Sequence, residues 1–194
     1  MRIGLISDTR VSRAQEVPIQ VARALGGVEL ILHAGGIFVP EVLDWLERIA
    51  PVKAVGRTMG DRSERPQFFE TECTGDPRVA KQQVFQIEGH TIGLAHELYL
   101  PRMSDDILPG VLKARRRPDE SLAMMIEEFF GTAVDIVVFG RTLYAMVEEH
   151  QGMLFINPGS PSLPRNLRKL GSVAILDLTP VRRDARLIDL SAFS

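Results

Sequence analysis

Apolar residues in the first part of the chain follow two alternating patterns. Short apolar runs bounded by polar residues are typical of buried strands, and between them apolar residues recur at the three- and four-residue spacing of a helix that faces a core. The predicted elements are a strand at Arg2–Ser7, a helix at Ala14–Leu25, a strand at Glu29–His33, a helix that Pro40 opens and that ends before Pro51, and a strand at Val52–Val55. This alternation predicts parallel strands joined by right-handed crossovers.

Later in the chain the pattern predicts hairpins. The paired runs are Val84–Ile87 with Thr91–Ala95, Tyr144–Glu149 with Met153–Ile156, and Val173–Leu178 with Ala185–Leu190. Between them, Asp119 can cap a helix that runs to about Phe130, and Val134–Phe139 is a strongly apolar strand. Parallel units followed by hairpins predict an α/β fold of two packed sheets with helices outside.

Two stretches lack a clear period. Arg57–Gln82 is rich in Gly, Pro and charge and predicts a long loop with at most a short strand near Phe68–Glu70. Residues 97–118 contain three prolines and predict an irregular insertion. With 194 residues and no repeat, the chain is predicted to form a single domain over residues 1–194.

The amino-acid composition limits the class of protein, its partners and its compartment. Hydrophobic residues make 45% of the chain and charged residues 25%, as in ordinary globular proteins. A net charge of −2 gives no strong nucleic-acid signal. The single cysteine, Cys73, excludes a disulfide framework and indicates a free thiol in a reducing compartment. No signal peptide or membrane-spanning run is recognisable, so we expect a cytoplasmic protein without a membrane partner.

Six segments carry a family resemblance. They are Arg2–Arg10, Glu29–Ile37, Val52–Asp61, Thr91–Leu98, Asp135–Leu143 and Met153–Ser160. In this order they resemble the calcineurin-like metallophosphoesterases, and most closely the family's small bacterial phosphodiesterases and the retromer subunit that shares their fold. The resemblance implies an αββα sandwich of two mixed sheets flanked by helices. It also implies a site in which two metal ions would activate water against a phosphodiester.

The metal-ligand positions implied by the resemblance are mostly altered. Asp8 and His96 keep side chains that bind metals, and they are the remnants of the catalytic and metal site. The other positions hold Arg10, Gly36, Arg57, Arg141 and Leu143. A guanidinium has no lone pair to offer, and even a catalytic zinc usually keeps three protein ligands. We therefore expect no metal cofactor, with Mn, Zn or Fe as the alternative if the protein is active.

Neighbouring residues offer little replacement. Asp61 follows extra residues in the third motif, and Glu97 would point away from His96 in an extended backbone. His33 lies on an apolar strand, where a hydrogen-bonded core histidine is the more common case. His90 and His150 fall in predicted hairpin turns and are expected to be solvated.

Arg10, Arg57 and Arg141 leave two interpretations open. In one, their guanidinium groups replace the metals and hold a phosphate-type anion. In the other, they pair with Asp8 and nearby carboxylates and fill the former site, which requires nothing further and is favoured. The retained Asn157–Ser160 turn is interpreted as a rigid structural turn rather than a wall of a phosphate site.

Two functions follow from the resemblance. The favoured one is a protein that has lost phosphodiesterase activity and acts as a binding or regulatory module for a phosphate-type anion or a protein partner. The alternative is a weakly active, metal-dependent phosphodiesterase whose reduced site is completed by unrecognised ligands or a partner chain. A homo-oligomer is compatible with both.

Overall fold

Two β-sheets packed face to face form the centre of the protein in the computed structural model, which describes residues 1–56, 73, 75–100, 106–114, 120–163 and 166–193. The strands are β1 Arg2–Ile6, β2 Leu30–His33, β3 Val52–Val55, β4 Val79–Ala80, β5 Gln82–Ile87, β6 His90–Ala95, β7 Ile136–Val138, β8 Met146–His150, β9 Met153–Asn157, β10 Ser162–Leu163, β11 Asn166–Leu170, β12 Ser172–Thr179 and β13 Arg182–Asp189. The α-helices are α1 Ile19–Ala24, α2 Glu41–Glu47, α3 Val111–Ala114 and α4 Glu120–Phe130. Short 3-10 turns occur at Ala14–Glu16 and Leu190–Phe193.

Both large sheets mix parallel and antiparallel pairs. The first has the order β13-β12-β1-β2-β3-β4, with β1 to β4 parallel and β12 antiparallel to both neighbours. The second has the order β5-β6-β7-β9-β8, with β6, β7 and β9 parallel and β5 and β8 antiparallel at its edges. Strands β10 and β11 form a separate small hairpin. The predicted parallel units and hairpins are therefore confirmed.

Three apolar clusters define the layers. The middle cluster lies between the sheets and joins residues such as Leu5 and Leu32 of the first sheet to Ile92 and Ile136 of the second. A second cluster lies under α1 and α2, and a third under α3 and α4. Helices outside two stacked sheets make the αββα sandwich, which confirms the fold expected from the resemblance.

Two glycines let the helices approach the sheets. A Cβ on Gly4 of β1 would lie 3.0 Å from Leu25 Cδ2, at the end of α1. A Cβ on Gly93 of β6 would lie 2.7 Å from the ring of Phe130, at the end of α4. Any larger residue would push the helix away and weaken the packing of its apolar face.

The predicted helix Ala14–Leu25 is wrong in its first half. The structure has a 3-10 turn at Ala14–Glu16, and α1 begins only at Ile19, with Pro18 as its N-cap residue. Proline inside the predicted helix would clash with the carbonyl four residues earlier, so the helix starts after it.

The third hairpin is tighter than predicted, because β12 reaches Thr179 and β13 begins at Arg182. Arg182–Asp184, which the sequence left in the loop, belong to β13: Arg182 and Asp184 are exposed, and Arg183 donates to the Asp135 carbonyl over 2.8 Å. Strands β4, β10 and β11 were not predicted, since strands this short or polar give little periodic signal. The predicted short strand at Phe68–Glu70 and the cap residue Asp119 lie outside the described residues.

Two histidine predictions are wrong. His90 was expected to be solvated, but its side chain is 12% exposed, with Nδ1 2.9 Å from Asp135 Oδ2 and Nε2 3.0 Å from the Thr179 carbonyl. His150 is only partly exposed and its Nε2 is enclosed. His90 is the first residue of β6 and His150 the last residue of β8, so both lie on strands rather than in the turns between them. In the described residues, no helix is long and apolar enough to cross a membrane.

Candidate functional site

Loops at the carboxyl ends of strands in both sheets meet at one place. The main chain after β1 contacts the loop after β2, because Asp8 N–H donates to the Gly35 carbonyl over 2.7 Å. The loop after β6 contacts the loop after β7 through Gly140 N–H and the His96 carbonyl, 3.0 Å apart. Arg141 N–H then joins the two sheets by donating to Asp8 Oδ2 over 2.9 Å. The structure thus brings together Asp8, His96 and the main chain of Arg141.

Asp8 is fully buried and both of its carboxylate oxygens have partners. Oδ1 accepts hydrogen bonds from Arg10 Nε at 3.0 Å and Nη2 at 2.8 Å, and Oδ2 accepts the Arg141 main-chain bond. The Arg10 side chain is 24% exposed, so the pair lies at the inner boundary of the site. The buried negative charge is therefore balanced by a guanidinium of the same loop.

The main chain of these loops is left-handed at four non-glycine residues. The φ angles are 52° at Asp8, 45° at Arg10, 70° at Arg141 and 64° at Leu143. Left-handed conformation costs a residue with a Cβ about 1–2 kcal/mol, and it concentrates at functional sites, where the surrounding contacts enforce it. All four residues occupy ligand positions implied by the resemblance. The main chain of the two loops therefore keeps a strained geometry although three of these four side chains cannot bind a metal.

Gly35 and Gly36 close the site from the β2 side. Both are left-handed, with φ angles of 81° and 73°. A Cβ on Gly35 would lie 2.4 Å from the His96 ring, and a Cβ on Gly36 would lie 2.6 Å from Asp8 Oδ1. A carboxylate at position 36 could not be added without moving Asp8.

Two histidine rings near the site, His33 fully buried and His96 partly buried, differ in their surroundings. His96 Nδ1 lies 2.8 Å from the Ala34 carbonyl, which can only accept, so Nδ1 carries a proton. His33 Nε2 lies 3.3 Å from Thr9 Oγ1. Burial, together with the charge of nearby His96, lowers the pKa of His33 to about 3. His33 is therefore a neutral core residue at physiological pH, as the sequence predicts.

The opposite wall of the site contains Glu97, which the sequence suggested would point away, and residues that sequence reasoning did not single out. Glu97 Oε2 lies 3.5 Å from Arg141 Nε, although its position after His96 suggested that it would point away. A hydrogen bond to Glu97 raises the pKa of Tyr99, so these groups form one connected cluster. Asp106 and Thr142 line the shallow cleft beside this cluster. The only available signal was the direct succession of Glu97 and His96 at a strand end.

The Asn157–Ser160 turn holds the site loops in position. Asn157 Nδ2 donates to the Gly140 carbonyl and to Thr142 Oγ1, each over 3.0 Å, and its Oδ1 accepts from Gly159 N–H. Ser160 Oγ donates to the Asp8 carbonyl over 2.9 Å. These bonds support the structural interpretation of the turn, since they hold the loop after β1 and the loop after β7 in place.

The donor groups of the described residues do not fit a two-metal centre. Among the described residues, no three His, Cys, Asp or Glu side chains converge closely enough to hold one metal ion. Asp8 is engaged by Arg10, and position 36 has no room for a bridging carboxylate. Arg57 and Asp61 lie outside the described residues.

Comparison with known proteins identifies the family. The calcineurin-like phosphoesterase superfamily domain matches residues 1–180 of the chain. The chain belongs to this superfamily. A probable metallophosphoesterase of Methanothermobacter thermautotrophicus is 33% identical over 195 residues, covering 99% of this chain and 94% of the relative. A probable metallophosphoesterase of Methanocaldococcus jannaschii is 28% identical over 192 residues, covering 98% of this chain and 82% of the relative.

Solved structures of low sequence identity share the fold. Vps29 of Entamoeba histolytica, complexed with Zn2+, has a TM-score of 0.62 at 20% identity, covering 98% of this chain and 99% of that one. An archaeal phosphodiesterase has a TM-score of 0.59 at 16% identity, covering 97% and 100%. At these identities the likeness extends to the fold alone. The family and the αββα architecture expected from the sequence are both confirmed.

Proposed function

We propose that this member of the calcineurin-like phosphoesterase superfamily acts as a binding or regulatory module and does not use a two-metal centre. The proposal rests on the state of Asp8. Its carboxylate is the one acidic ligand kept at the positions implied by the resemblance, and both of its oxygens are held by internal partners. A cation entering the site would have to displace a guanidinium that is hydrogen-bonded twice to the same oxygen.

The charges at the site determine what it could bind. Arg10 is neutralised by Asp8, and Arg141 faces Glu97 at 3.5 Å, a longer separation that leaves its guanidinium less tightly held. The Arg141 side chain is 32% exposed. The ligand classes we propose are a phosphate-type anion, held weakly and mainly through Arg141, or a protein partner that covers the loops.

A reduced, metal-dependent phosphodiesterase is the second candidate. It is supported by the relatives named probable metallophosphoesterases, one of them 33% identical over nearly the whole chain. This function would require ligands from the segment between Gly56 and Cys73 or from a partner chain, together with displacement of Arg10 from Asp8.

Metal content and hydrolysis together distinguish the two candidates. The protein should be purified from cells supplied with Mn and Zn, and its metal content measured by elemental analysis. We expect well under one equivalent of metal per chain, because two protein ligands rarely hold a divalent cation against water. We also expect no hydrolysis of bis(4-nitrophenyl) phosphate above the buffer rate, with or without added Mn2+.

The test variant is Asp8→Asn and its matched control is Asp184→Asn. Both remove one carboxylate, but Asp184 lies on β13 and its side chain is 52% exposed. Near two equivalents of metal, or a Mn2+-dependent rate lost in Asp8→Asn and kept in Asp184→Asn, would establish the second candidate and overturn the first.

A further inference from the structure

The outer edge of β5 differs from the other edges of the two large sheets. β13 carries five charged residues among eight, and β8 carries Glu148 and Glu149. β4 is only two residues long. β5 reads Gln-Gln-Val-Phe-Gln-Ile, with no charged residue, proline or glycine. Proteins normally protect edge strands with charges, prolines or short length, and β5 has none of these.

The turn after β5 determines which main-chain groups face outward. Glu88 and Gly89 form a two-residue turn with φ angles of 52° and 80°, the left-handed pair of a type I′ hairpin. In such a hairpin the flanking residues Ile87 and His90 exchange hydrogen bonds, and the exchange repeats at every second residue. Phe85 therefore bonds to β6, while the N–H and C=O groups of Val84 and Gln86 point away from it. Consistently, the carbonyl of Thr91, which lies across from Gln86, accepts a hydrogen bond from the N–H of Asp135, just before β7.

Among the described residues, the side chains of β5 do not fold over its outer edge. Phe85 and Ile87 pack into the cluster between the sheets, so the opposite face carries Val84 and Gln86. Val84 is 37% exposed, and Gln86 is exposed with its amide bonded to Thr91 Oγ1 on the adjacent strand. Within the described part of the chain, β5 pairs only with β6. An extended strand of similar character could therefore add to the sheet without moving any of the described side chains of β5.

We propose that β5 is a self-association edge at which a second copy of this chain adds its own β5 in antiparallel orientation. A twofold axis places Val84 of one copy opposite Gln86 of the other, which gives four main-chain hydrogen bonds and joins the two five-stranded sheets. An uncharged strand meets its own copy without like-charge repulsion. This pairing is independent of the binding function proposed for the Asp8 site.

Hydrogen exchange and mass measurements on the full chain test the pairing. We expect a concentration-dependent dimer at twice the chain mass, half-formed at a concentration on the order of 100 µM because the buried edge is small. As concentration rises, the amides of Val84 and Gln86 should gain protection, while those of Phe85 and Ile87 are protected throughout.

Charge variants give the decisive comparison. Val84→Lys/Gln86→Lys and Val84→Glu/Gln86→Glu should each be monomeric, because like charges face each other across the pair. Mixing the two variants should restore a dimer of one chain of each kind. The matched control is Ile19→Lys/Val181→Lys, which adds the same charge at positions 57% and 95% exposed and should dimerise as the native chain does.

Circular dichroism spectra of all variants verify folding, and the mixing experiment identifies the interface even if each variant is destabilised. A native chain that stays monomeric at several hundred micromolar overturns the proposal. So do Val84 and Gln86 amides whose protection does not change with concentration, since the edge is then covered by the chain itself or stays unpaired. Dimerisation of the Lys variant at the native concentration would place any interface elsewhere.

Discussion

Arg10 donates two hydrogen bonds to Asp8 Oδ1, from Nε at 3.0 Å and Nη2 at 2.8 Å, with a single residue between them in the chain. Both residues have left-handed main-chain angles, so the loop folds back on itself and brings the guanidinium onto its own buried carboxylate. The resemblance implies that positions 8 and 10 are both metal ligands. Here the second position supplies an internal positive charge to the first.

Removing only Arg10 from this pair should destabilise the protein more than removing both of its charges. We expect Arg10→Ala to lower the free energy of unfolding by about 2–4 kcal/mol, because it leaves a fully buried carboxylate with one main-chain donor. Asp8→Asn/Arg10→Ala should recover part of that loss, since no buried charge remains. Urea unfolding of the wild type, both single variants and the double variant gives the coupling energy, for which we expect about 1–3 kcal/mol. A coupling near zero would show that the pair contributes nothing beyond its separate residues.

Inorganic phosphate should bind weakly and mainly through Arg141. We expect a dissociation constant on the order of 0.1–1 mM that rises with salt, because the attraction is electrostatic. Arg141→Ala should weaken binding more than Arg10→Ala, whose guanidinium is already committed to Asp8. Arg182→Ala, at a side chain 72% exposed on β13, controls for loss of a positive charge. Chemical-shift titration measures all four proteins, and equal binding by Arg141→Ala and Arg182→Ala would mean that the site arginines only fill space.

Asn157 should be more important for stability than its place in a turn suggests. Asn157→Asp replaces the two donated hydrogen bonds to Gly140 and Thr142 by an acceptor, which then faces a carbonyl oxygen in a buried setting. We expect a loss of about 2–4 kcal/mol, and about 1–3 kcal/mol for Asn157→Ala, which leaves Gly140 unpartnered by this side chain. Thermal and urea unfolding measure both losses. If Asn157→Asp unfolds at the same temperature and urea concentration as the wild type, the hydrogen bonds of Asn157 to the loop after β7 do not stabilise the protein.

His33 should make the protein acid-sensitive. Its pKa is about 3 in the folded protein and about 6.5 in an unfolded chain, so the unfolded state takes up a proton that the folded state refuses. The contribution of His33 to the free energy of unfolding is fully present above pH 6.5 and is lost progressively as the pH falls toward 3. At pH 5 we expect a loss of about 2 kcal/mol from this residue.

The matching variant is His33→Gln, which keeps an amide that can reach Thr9 Oγ1 and removes the titration. Urea unfolding at pH 7 and pH 5 should show a smaller decrease for the variant than for the wild type. Other acid-sensitive groups, such as Asp177 with its pKa lowered to about 2 by Arg2, act equally in both proteins and cancel in the comparison. Equal decreases would remove His33 as the cause.

Much of this protein could be predicted from its sequence because the signals are local. Apolar periods identified the central strands and α2, and glycine-containing turns identified two of the three hairpins. The order of the strand-end motifs gave the family and the αββα architecture. The residue types at Arg10, Gly36 and Arg141 could be read directly, and the ability to bind a metal depends on the chemistry of one side chain. Pro18 was a local signal that the first helix starts later than predicted. The helical spacing of the apolar residues on either side of Pro18 led to the wrong prediction.

Tertiary structure alone decided how the altered positions are used. The sequence left open whether the arginines hold an anion or pair internally, and the contact of Arg10 with Asp8 depends on two left-handed residues that no propensity predicts. The role of Glu97 opposite Arg141 and the packing of Gly36 against Asp8 join residues from different strands. Such contacts are created when the two sheets stack and bring their loops together, so they are absent from any local pattern of the chain.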